Sequence, residues 1–487
     1  MTTPQNTRPP HYDLCVVGAG ISGLNALYSA TEYLGSQQRV LLLDRNPAPG
    51  GMWNDVYDYV RLHQPHPMFT AGNIPWRLRR PPAYRATKRE VLDHLADCLA
   101  VLADRVRLDA RFETFFESAE ESGNGVDVRY RGADGAEHVV RADRLLKAVA
   151  SDVEALEPLR LTSGSVHSVT PNECDVREIG SDPAPLWIVG SGKTAIDTAY
   201  AALTARPDRA VGMFAGSGTW FADRDTMYPS GLRRWRSPRP NAVFTRISRQ
   251  YDGTNEQAVA DEALTSIGLR ITPGTGNFVA GLVSRAERDT VVRGLHPVID
   301  GHLTDVVDGP GGPVAVLRDG GTVPITPGAR VINCTGHFRV DHTVDEPYAS
   351  ATGRVAAITR SSWIMHFGSF AGYFLPHLMY RDLLGTVPLY AADLGAIMRR
   401  DPHVMIYLMS TLALHNLGLL SEVVPPGVFL RCGLDFDNWV PLPRRLVGTA
   451  QFLATRRRDR VHFRRTLDTI ADRYGIRCAP LTHVAAA

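Results

Sequence analysis

The residues with the clearest chemical meaning stand near the start of the chain, where an apolar run ends in closely spaced glycines. Leu14 to Val17 predict a short strand and Ile21 to Leu34 predict a helix, with Gly18, Gly20 and Gly23 at and after the junction. In such a turn the first glycine permits the tight bend, the second lets backbone amides approach a pyrophosphate, and the third lets the helix pack on the strand. The start of the helix then faces the phosphates. The segment therefore predicts a dinucleotide-binding β-α-β turn.

An acidic residue follows this turn at the spacing of a ribose-binding carboxylate. The apolar run Val40 to Leu43 predicts the second strand, and it ends at Asp44, which lies 21 residues after Gly23. A carboxylate at this place accepts hydrogen bonds from a ribose hydroxyl pair. Because the strand, the glycine turn, the helix, the second strand and the acid are all present, a glycine-rich surface loop is the weaker interpretation.

A second turn of the same type begins at residue 186. The run Leu186 to Val189 predicts a strand, Gly190, Gly192 and Ala195 form a GxGxxA turn, and Thr194 to Leu203 predict a helix. The Gly-Lys-Thr inside this turn also occurs in ATP-binding P-loops. That motif needs a further glycine five residues earlier, where this chain has a tryptophan. A second dinucleotide turn is therefore the preferred interpretation.

The second turn lacks the acid of the first. The position 21 residues after Ala195 is Gly216, so no carboxylate is available for a ribose hydroxyl pair. Its absence disfavours NAD and leaves room for a 2′-phosphate, which an arginine can hold. No arginine directly follows the predicted strand Ala210 to Phe214, and Arg224 is the nearest candidate downstream. We therefore expect NADPH at the second turn.

Composition restricts the class of protein. Of the 487 residues 44% are hydrophobic and 21% charged, which is typical of a globular protein with two or three domains. The net charge of +2 gives no reason to expect nucleic acid as a partner. The six cysteines are scattered without a CxxC pair, which argues against a disulfide framework and a dithiol centre and favours a reducing compartment. We expect no metal site.

The sequence shows no sign of secretion or membrane insertion. The N-terminal MTTPQNTRPPHYD is polar and rich in proline, unlike a signal peptide. The most apolar stretch, Val404 to Leu414, is short and contains Ser410 and Thr411, so it predicts a buried helix. We therefore expect a cytoplasmic protein without a membrane partner. The sequence leaves the oligomeric state open, a homodimer included.

Other segments predict the elements that carry the two turns. Lys88 to Leu102 predict an amphipathic helix, and Phe112 to Val149 predict a small β-meander. The stretches Arg233 to Arg239 and Arg246 to Gly276 are polar and predict irregular excursions from the second unit. The chain ends mostly in helix, where the basic run Arg456 to Arg458 is expected to form a solvated face.

In their order and spacing these motifs resemble the flavin-containing, or class B, monooxygenases. The resemblance spans roughly Tyr12 to Tyr380. It rests on the turn Gly18 to Gly23, the segment Asp44 to Trp53 with its Gly-Gly-x-Trp, and the turn Gly190 to Ala195. The later Cys334-Thr335-Gly336 is similar to the threonine–glycine segment at which that family's chain returns to FAD.

The family's fingerprint is only partly present. Its phenylalanine, glycine and histidine are matched by Leu161, Ser163 and His167. Pro171-Asn172 stands where a Baeyer–Villiger enzyme has tryptophan–proline, which disfavours a ketone-to-ester reaction. The first alanine–threonine–glycine segment, expected near Ala148 to Ser151, is missing. These departures concern the reaction type and leave the expected fold intact.

The resemblance implies an α/β fold with two doubly wound, Rossmann-like domains. The NADPH-binding domain, residues 181–329, would be inserted between two parts of the FAD-binding domain, residues 1–180 and residues 330–487 with the C-terminal helices. The substrate pocket would lie in the cleft between the domains.

The implied reaction is the oxygenation of a small organic substrate at nitrogen, sulfur or carbon by O₂ through a C4a-(hydro)peroxyflavin. Such chemistry belongs to the cofactors and needs no side-chain nucleophile. One alternative is an NADPH-dependent flavin reductase or dehydrogenase acting on a quinone- or imine-like acceptor. Another is a flavoprotein that binds FAD without catalysis.

The expected site residues follow from the resemblance. His63, where many relatives carry asparagine, and Gln64 are expected at the flavin edge, where His63 would donate a hydrogen bond or act as an acid–base group near neutral pH. His366 and Tyr373 are expected on the substrate side. The expected cofactor-binding residues are Gly18, Gly20, Ile21, Ser22, Gly23, Asp44, Arg45, Gly51, Met52, Trp53 and His63 for FAD; Gly190, Ser191, Gly192, Lys193, Thr194 and Arg224 for NADPH; and Thr335 and Gly336 at the return to FAD.

Overall fold

The computed structural model describes residues 9–149, 156–177, 184–278, 280–335 and 345–481. Two parallel sheets carry the two glycine turns, so the α/β class with two Rossmann-like units is confirmed. The strands are β1 (His11–Tyr12), β2 (Leu14–Val17), β3 (Arg39–Leu43), β4 (Arg107–Arg111), β5 (Phe115–Ser122), β6 (Gly125–Arg131), β7 (Glu137–Ala142), β8 (Leu145–Lys147), β9 (His167–Val169), β10 (Leu186–Val189), β11 (Val211–Phe214), β12 (Trp220–Asp223), β13 (Gly268–Arg270), β14 (Leu282–Val283), β15 (Leu295–Ile299), β16 (Leu303–Gly309), β17 (Gly312–Leu317), β18 (Thr322–Pro324), β19 (Arg330–Asn333), β20 (Val355–Ala357), β21 (Tyr390–Ala392) and β22 (Cys478–Pro480). The helices are α1 (Ile21–Ala30), α2 (Lys88–Ala103), α3 (Lys193–Ala205), α4 (Arg224–Met227), α5 (Pro240–Gln250), α6 (Glu256–Ile267), α7 (Arg285–Gly294), α8 (Gly368–Met379), α9 (Leu394–Arg400), α10 (Met405–Val423), α11 (Pro426–Arg431) and α12 (Leu442–Tyr474), and short 3-10 turns lie at Gly51–Asn54, His66–Met68, Gly231–Trp235 and Phe436–Trp439.

The first sheet has the order β20-β8-β2-β3-β4, and its neighbouring strands are parallel. Its central strands are apolar and buried, as parallel strands covered on both faces must be. Val17 stands opposite Leu43, so the turn after β2 and the acid after β3 meet at one edge of the sheet. Helix α1 ends at Ala30, earlier than expected, because Thr31 closes it with backbone bonds to Leu27 and Ser29.

The second sheet has the order β15-β11-β10-β19-β9 and is also parallel. The domain limits expected from the sequence are residues 181 and 329. Strands β9 and β19 of this second sheet lie outside those limits. The apolar sequence of β19 would suit either sheet. Its pairing with β10, in which Ile188 stands opposite Ile332, assigns it to the second sheet. The chain leaves the first sheet after β8 and rejoins it at β20.

The expected β-meander is present. Strands β5, β6 and β7 pair antiparallel, and β1 joins the edge of β7 in parallel. Its inner face packs Val126, Val128 and Tyr130 against the first sheet.

A helical layer of α5, α6, α8, α10 and α12 completes the molecule. Residues 246–276 were expected to be irregular, but they include the end of α5 and the whole of α6. Helix α5 buries Val243 and Ile247, while Arg239 and Arg249 at its ends bind carboxylates of the C-terminal segment. Its polar composition therefore reflects interhelical ion pairs. The buried helix expected near residues 404–414 is the start of α10. Within the described residues, no helix combines the length and apolar character that a membrane span needs.

Candidate functional site

The first glycine turn is tightly packed. Gly18 has φ +101°, and a Cβ there would lie 2.7 Å from the Ala148 carbonyl oxygen. A Cβ on Gly23 would lie 1.8 Å from the Gly18 carbonyl oxygen, so the helix could not approach the strand with any side chain at this position. The Gly-Gly loop covers the turn, because a Cβ on Gly20 would stand 3.2 Å from the Gly51 Cα. Each glycine expected from the sequence thus has a steric reason.

Asp44 organises the edge of the first turn. Its side chain is buried, and its Oδ2 accepts from the Ala19 amide at 2.5 Å while its Oδ1 accepts from the Asn46 amide at 2.7 Å. A carboxylate oxygen accepts two hydrogen bonds, so each keeps capacity for a ribose hydroxyl. Among its neighbours in the loop, Arg45 is exposed and pairs with Asp55 at 3.8 Å, and Met52 is exposed.

The second turn repeats this backbone geometry with more open space. Gly190 has φ +109°, and its amide donates to the Phe214 carbonyl at 2.9 Å, as the Gly18 amide does to Leu43 at 2.7 Å. A Cβ on Gly192 would have nothing within 4 Å. No loop of the described chain therefore covers this turn in the way that Gly51 covers the first.

The starts of α1 and α3 are suited to bind phosphate. Their N-cap residues, Gly20 and Gly192, offer no side-chain hydrogen bond. By contrast, α2 and α7 close their first turns with the capping boxes Thr87 to Glu90 and Ser284 to Glu287. The first amides of a helix lack partners unless a cap or a ligand supplies them, and the helix dipole favours an anion there. The residues present thus fit a dinucleotide pyrophosphate at each turn.

A segment after the Gly-Gly loop links the two turns. Tyr57 donates from its hydroxyl to Asp197 Oδ2 at 3.1 Å, and the Tyr59 hydroxyl lies 2.9 Å from the Thr198 hydroxyl. Both partners lie on α3, the helix of the second turn. Tyr57 follows Gly51 by only six positions, so the first turn and the second helix are held close together.

The His63 ring lies in this linking region, half-buried beside three cations. Burial, together with the charges of Lys193, Arg224 and Arg85, holds the pKa of the His63 imidazole well below its usual value. The ring is therefore neutral at pH 7. The expected role as an acid–base group near neutral pH does not fit this environment, whereas a hydrogen-bonding role does. Gln64 beside it is half-buried.

Glu287 joins two of these cations, Arg85 and Arg224, into one buried cluster. Its Oε1 accepts from Arg85 at 2.6 Å and its Oε2 from Arg224 at 2.5 Å. Burial alone would raise the pKa of this carboxyl, but Arg224, Arg85 and Lys193 outweigh burial and hold the pKa at about 2. Arg85 belongs to the first unit and Arg224 to the second, so the carboxylate bridges them. Sequence reasoning missed this residue, although the Ser284-x-x-Glu287 capping pattern was visible.

Two of the expected NADPH ligands, Arg224 and Lys193, contact buried carboxylates. All three nitrogens of the Arg224 guanidinium are occupied: Nη1 by Glu287, Nε by the His63 carbonyl at 2.6 Å, and Nη2 by the Leu282 carbonyl at 2.8 Å. Nη1 and Nη2 each carry a second N–H group, so the expected contact of Arg224 with a 2′-phosphate stays a prediction. Lys193 turns inward to pair with Asp197 on the next turn of α3.

Other expected residues take mainly structural positions. The Ser191 hydroxyl lies 3.1 Å from that of Thr219. Thr194 is in the first turn of α3, and its carbonyl accepts a hydrogen bond from the Thr198 hydroxyl at 2.8 Å. Ser22 supports α8, since a Cβ on Gly372 would lie 2.2 Å from the Ser22 carbonyl. Ile21 opens α1.

Trp53 and Thr335, both expected at the cofactor, make contacts within the protein. The Trp53 ring packs edge-on against Phe69 at 5.7 Å. The Thr335 hydroxyl donates to Asn333 at 2.7 Å beside Gly190, while Gly336 and the segment from Ala150 to Ser151 lie outside the described residues. Of the fingerprint residues, Ser163 donates to Asp308 at 2.6 Å at a sheet edge, Leu161 is half-buried and His167 is exposed on β9.

His366 and Tyr373, the two residues expected on the substrate side, lie in different surroundings. His366 lines a cavity of about 590 Å³ between α5, α8, α10 and α12. Tyr373 is fully buried in the core instead, where its hydroxyl donates to the Val428 carbonyl at 2.7 Å and its ring stacks on Tyr28. His366 precedes α8, whereas Tyr373 lies within that helix, and the sequence alone did not reveal that their side chains lie in different surroundings.

Thiol and metal chemistry have no centre among the described residues. The six cysteines are free and buried, and burial raises the pKa of Cys15, Cys334 and Cys432 above the usual thiol value. No group of three or more metal-binding side chains occurs in the described ranges.

Comparison with known proteins gives one family match and several distant relatives. Residues 16–73 match the NAD(P)-binding Rossmann-like domain family, which covers the first turn and Asp44. The chain is 26% identical over 461 residues to uncharacterized proteins of Mycobacterium tuberculosis (strain ATCC 25618 / H37Rv) and Mycobacterium bovis, covering 85% of this chain and 79% of each relative.

Solved structures give weaker likenesses. The flavin-containing monooxygenase of Stenotrophomonas maltophilia is 15% identical with a TM-score of 0.44, covering 77% of this chain and 97% of its own. The S-allyl-L-cysteine S-oxygenase of Allium sativum is 13% identical with a TM-score of 0.46, covering 95% and 99%. The bacillithiol disulfide reductase Bdr of Staphylococcus aureus is 11% identical with a TM-score of 0.45, covering 77% and 99%.

Proposed function

We propose that the chain is an FAD- and NADPH-dependent monooxygenase that oxygenates a small organic substrate at nitrogen, sulfur or carbon. One observation carries the proposal: two uncapped, glycine-lined helix starts lie in one chain, and the segment from Gly51 to Tyr59 joins them. Dinucleotides held at the two turns would extend towards the same region, as transfer of hydride between them requires. The chain offers no exposed thiol or metal cluster among its described residues for another redox route.

The residues at the first turn fit FAD, and those at the second fit NADPH. Asp44 keeps acceptor capacity for a ribose, and the absence of an acid at Gly216 leaves room for a 2′-phosphate. When bound, FAD supplies hydride acceptance and oxygen activation, chemistry that side chains lack.

The protein's own part is to orient the cofactors and exclude water. The buried cluster of Arg85, Arg224 and Glu287 fixes the second unit against the first. His63, kept neutral by its surroundings, offers one donor and one acceptor to the flavin edge, with Gln64 beside it. Neither residue acts as a nucleophile in this proposal.

A flavin reductase or dehydrogenase of the same fold, acting on a quinone- or imine-like acceptor, is the second candidate. The partial fingerprint at Leu161, Ser163 and His167 favours it, because Ser163 stands where the monooxygenase fingerprint has its glycine. The buried, unpaired cysteines argue against a dithiol-using reductase. In either case we propose a cytoplasmic enzyme with a small-molecule substrate and no nucleic-acid partner.

Anaerobic stopped-flow measurement tests the proposal. The full chain loaded with FAD is mixed with NADPH, and the visible flavin absorbance should bleach. The reduced protein is then mixed with oxygenated buffer. A transient absorbing species that persists for seconds before oxidised flavin returns supports a monooxygenase, and a single-step return supports the reductase. Failure of NADPH to bleach the bound flavin would contradict both candidates.

A further inference from the structure

The cavity beside His366 has the form of a small-molecule site. Its volume of about 590 Å³ lies within the roughly 300–1,000 Å³ of ligand pockets. It is lined along α12 from Leu442 to Phe463, which at about 1.5 Å per residue spans roughly 30 Å. The cavity is therefore long and narrow. Its apolar walls are formed by Phe244, Phe370, Phe374, Leu414, Leu417, Val424, Phe429, Phe436, Leu446, Phe452 and Phe463.

His366 is a buried polar side chain without a partner in this wall. It is 7% exposed, and neither ring nitrogen has a hydrogen-bond partner among the described residues. The rings of Phe244, Phe370 and Phe436 surround it at 5.9, 5.7 and 5.5 Å. Burial lowers the pKa of the imidazole to about 4, so a neutral ring faces the cavity with one donor and one acceptor. Buried polar groups are normally satisfied, so this ring points to a ligand group.

The charged residues around the cavity have an excess of cations. Arg239 and Arg249 are neutralised by Asp437 at 2.7 Å and Asp459 at 2.6 Å. The remaining arginines of the lining, Arg246, Arg445 and Arg456, form no ion pair within the described ranges. The third acid of the lining is Asp435, so five arginines stand against three carboxylates in this wall. The wall therefore favours an anion.

Arg456 differs from its neighbours in the basic run of α12. Arg457 and Arg458 are exposed and lie outside the lining, whereas Arg456 is half-buried and lines the cavity with an Nε atom that has no partner. The expected solvated face thus applies to two of these three residues. The third belongs to the cavity.

We propose that this cavity is the substrate site and that its substrate is an aliphatic chain with one carboxylate. The lining arginines that form no ion pair within the described ranges, Arg246, Arg445 and Arg456, attract that carboxylate. A hydroxyl or carbonyl group along the chain meets His366. Calling the bound molecule a substrate rests on the proposed function, whereas its binding to the cavity does not depend on turnover.

Calorimetric titration of the FAD-loaded full chain tests the charge preference. Dodecanoate, dodecanol and dodecyltrimethylammonium share one chain length and differ in head-group charge. Dodecanoate should bind at least about fivefold more tightly than the other two, as expected for a partly exposed ion pair. Equal affinity for the acid and the alcohol, or tighter binding of the ammonium compound, would overturn the assignment.

Matched variants locate the charge. Arg445→Gln and Arg456→Gln should each weaken dodecanoate binding about threefold to fivefold and leave dodecanol unaffected. Arg464→Gln removes an exposed cation from the same helix outside the cavity and should change neither affinity. An equal loss in all three variants would mean long-range attraction by α12 and would overturn the site. Circular dichroism confirms that each variant is folded.

Hydroxydodecanoates with the hydroxyl at carbon 2, 6 or 12 test the contact with His366. At least one should bind more tightly than dodecanoate, by about threefold or more for one hydrogen bond. His366→Gln keeps a donor and an acceptor and should retain this gain, whereas His366→Leu should lose it. No gain with any isomer, or loss of flavin from His366→Leu with unchanged ligand affinity, would overturn the role of His366.

The outcomes separate this inference from the proposed function. If dodecanoate binds but NADPH fails to bleach the flavin, the redox proposal falls and the binding site stands. If NADPH bleaches the flavin and dodecanoate does not bind, the cavity proposal falls alone.

Discussion

The two glycine turns share one backbone but differ in what surrounds them. Both begin with a glycine at positive φ, +101° at Gly18 and +109° at Gly190, and both leave the following helix uncapped. The first turn is covered by the Gly51 loop and ends in a buried carboxylate at Asp44. The second is open above Gly192 and has no acid at the matching strand end.

This difference between the turns fits one cofactor that stays bound and a second that is exchanged in each turnover. A tightly held group such as FAD gains from a covered turn and a fixed acceptor, because a preorganised site loses little entropy on binding. A coenzyme that must enter and leave in each turnover needs an open turn. The backbone thus selects the class of ligand, and the surroundings determine how firmly it is held.

The largest expected effect concerns the third position of each turn, Gly23 and Ala195. Gly23→Ala should destabilise the protein by about 3 kcal/mol or more and abolish FAD retention, because the new Cβ meets a backbone oxygen at 1.8 Å. Ala195→Gly, the reverse change at the second turn, should cost only about 1 kcal/mol, the helix preference of alanine. Urea denaturation measures both. Similar losses would show that the turns are equally packed, contrary to the structure.

Glu287 tests how far the two regions depend on each other. Glu287→Gln leaves Arg85 and Arg224 without their shared carboxylate and should lower the free energy of unfolding at pH 7 by about 3 kcal/mol. The folded pKa of about 2 lies below the ordinary 4.5. The stabilisation is therefore present above pH 4.5 and is lost as the pH falls towards 2.

Denaturation curves between pH 7 and pH 3 provide the check on Glu287. The wild-type protein should lose this contribution on acidification, and the variant should lack that part of the slope. Glu346→Gln, which removes a partly exposed carboxylate paired with Lys147, serves as a control and should change stability by less than about 1 kcal/mol. Equal effects of the two substitutions would contradict a bridging role.

The second positions, Gly20 and Gly192, distinguish the ligands themselves. Gly20→Ala should abolish FAD retention through gel filtration, because the turn has no room for a methyl group below Gly51 when a pyrophosphate is present. Gly192→Ala meets no protein atom within 4 Å, so it should keep FAD and raise the NADPH concentration for half-saturation about tenfold. Equal loss of yellow colour in both variants would refute the assignment of the turns.

The two turns also differ in the acid, Asp44, which follows the first turn and has no counterpart after the second. Asp44→Asn keeps the shape of the side chain but removes its charge and one acceptor, so FAD affinity should fall about tenfold. Half-saturation by NADPH should be unchanged within about twofold. Fluorescence titration of the apoprotein with FAD measures the first quantity and steady-state oxidation the second. A larger effect on NADPH than on FAD would reverse the roles proposed for the turns.

The smallest expected effect is the coenzyme preference of the wild-type protein. With no carboxylate at Gly216, kcat/KM for NADPH should exceed that for NADH by about fivefold or more. The preference is expected to be modest because each guanidinium nitrogen of Arg224, the nearest downstream arginine, already has a partner within the protein. A preference for NADH would mean that the missing acid is replaced by another acceptor.

The sequence by itself determined the elements that depend on local chemistry. Strand, glycine turn, helix and acid follow one another within about thirty residues, because backbone sterics and phosphate binding fix their spacing. The turns at Gly18 and Gly190, the helix from Lys88 and the β-meander were therefore predictable.

Only the tertiary structure decided what depends on contacts between distant residues. Strand β19 joins the second sheet through pairing that its composition does not specify, and α5 forms because Arg239 and Arg249 find carboxylates some two hundred residues away. The pairing of Arg224 with Glu287 likewise joins residues that lie far apart in the sequence. Charge pairing and strand register are set by proximity in space, and a linear sequence records spacing along the chain alone.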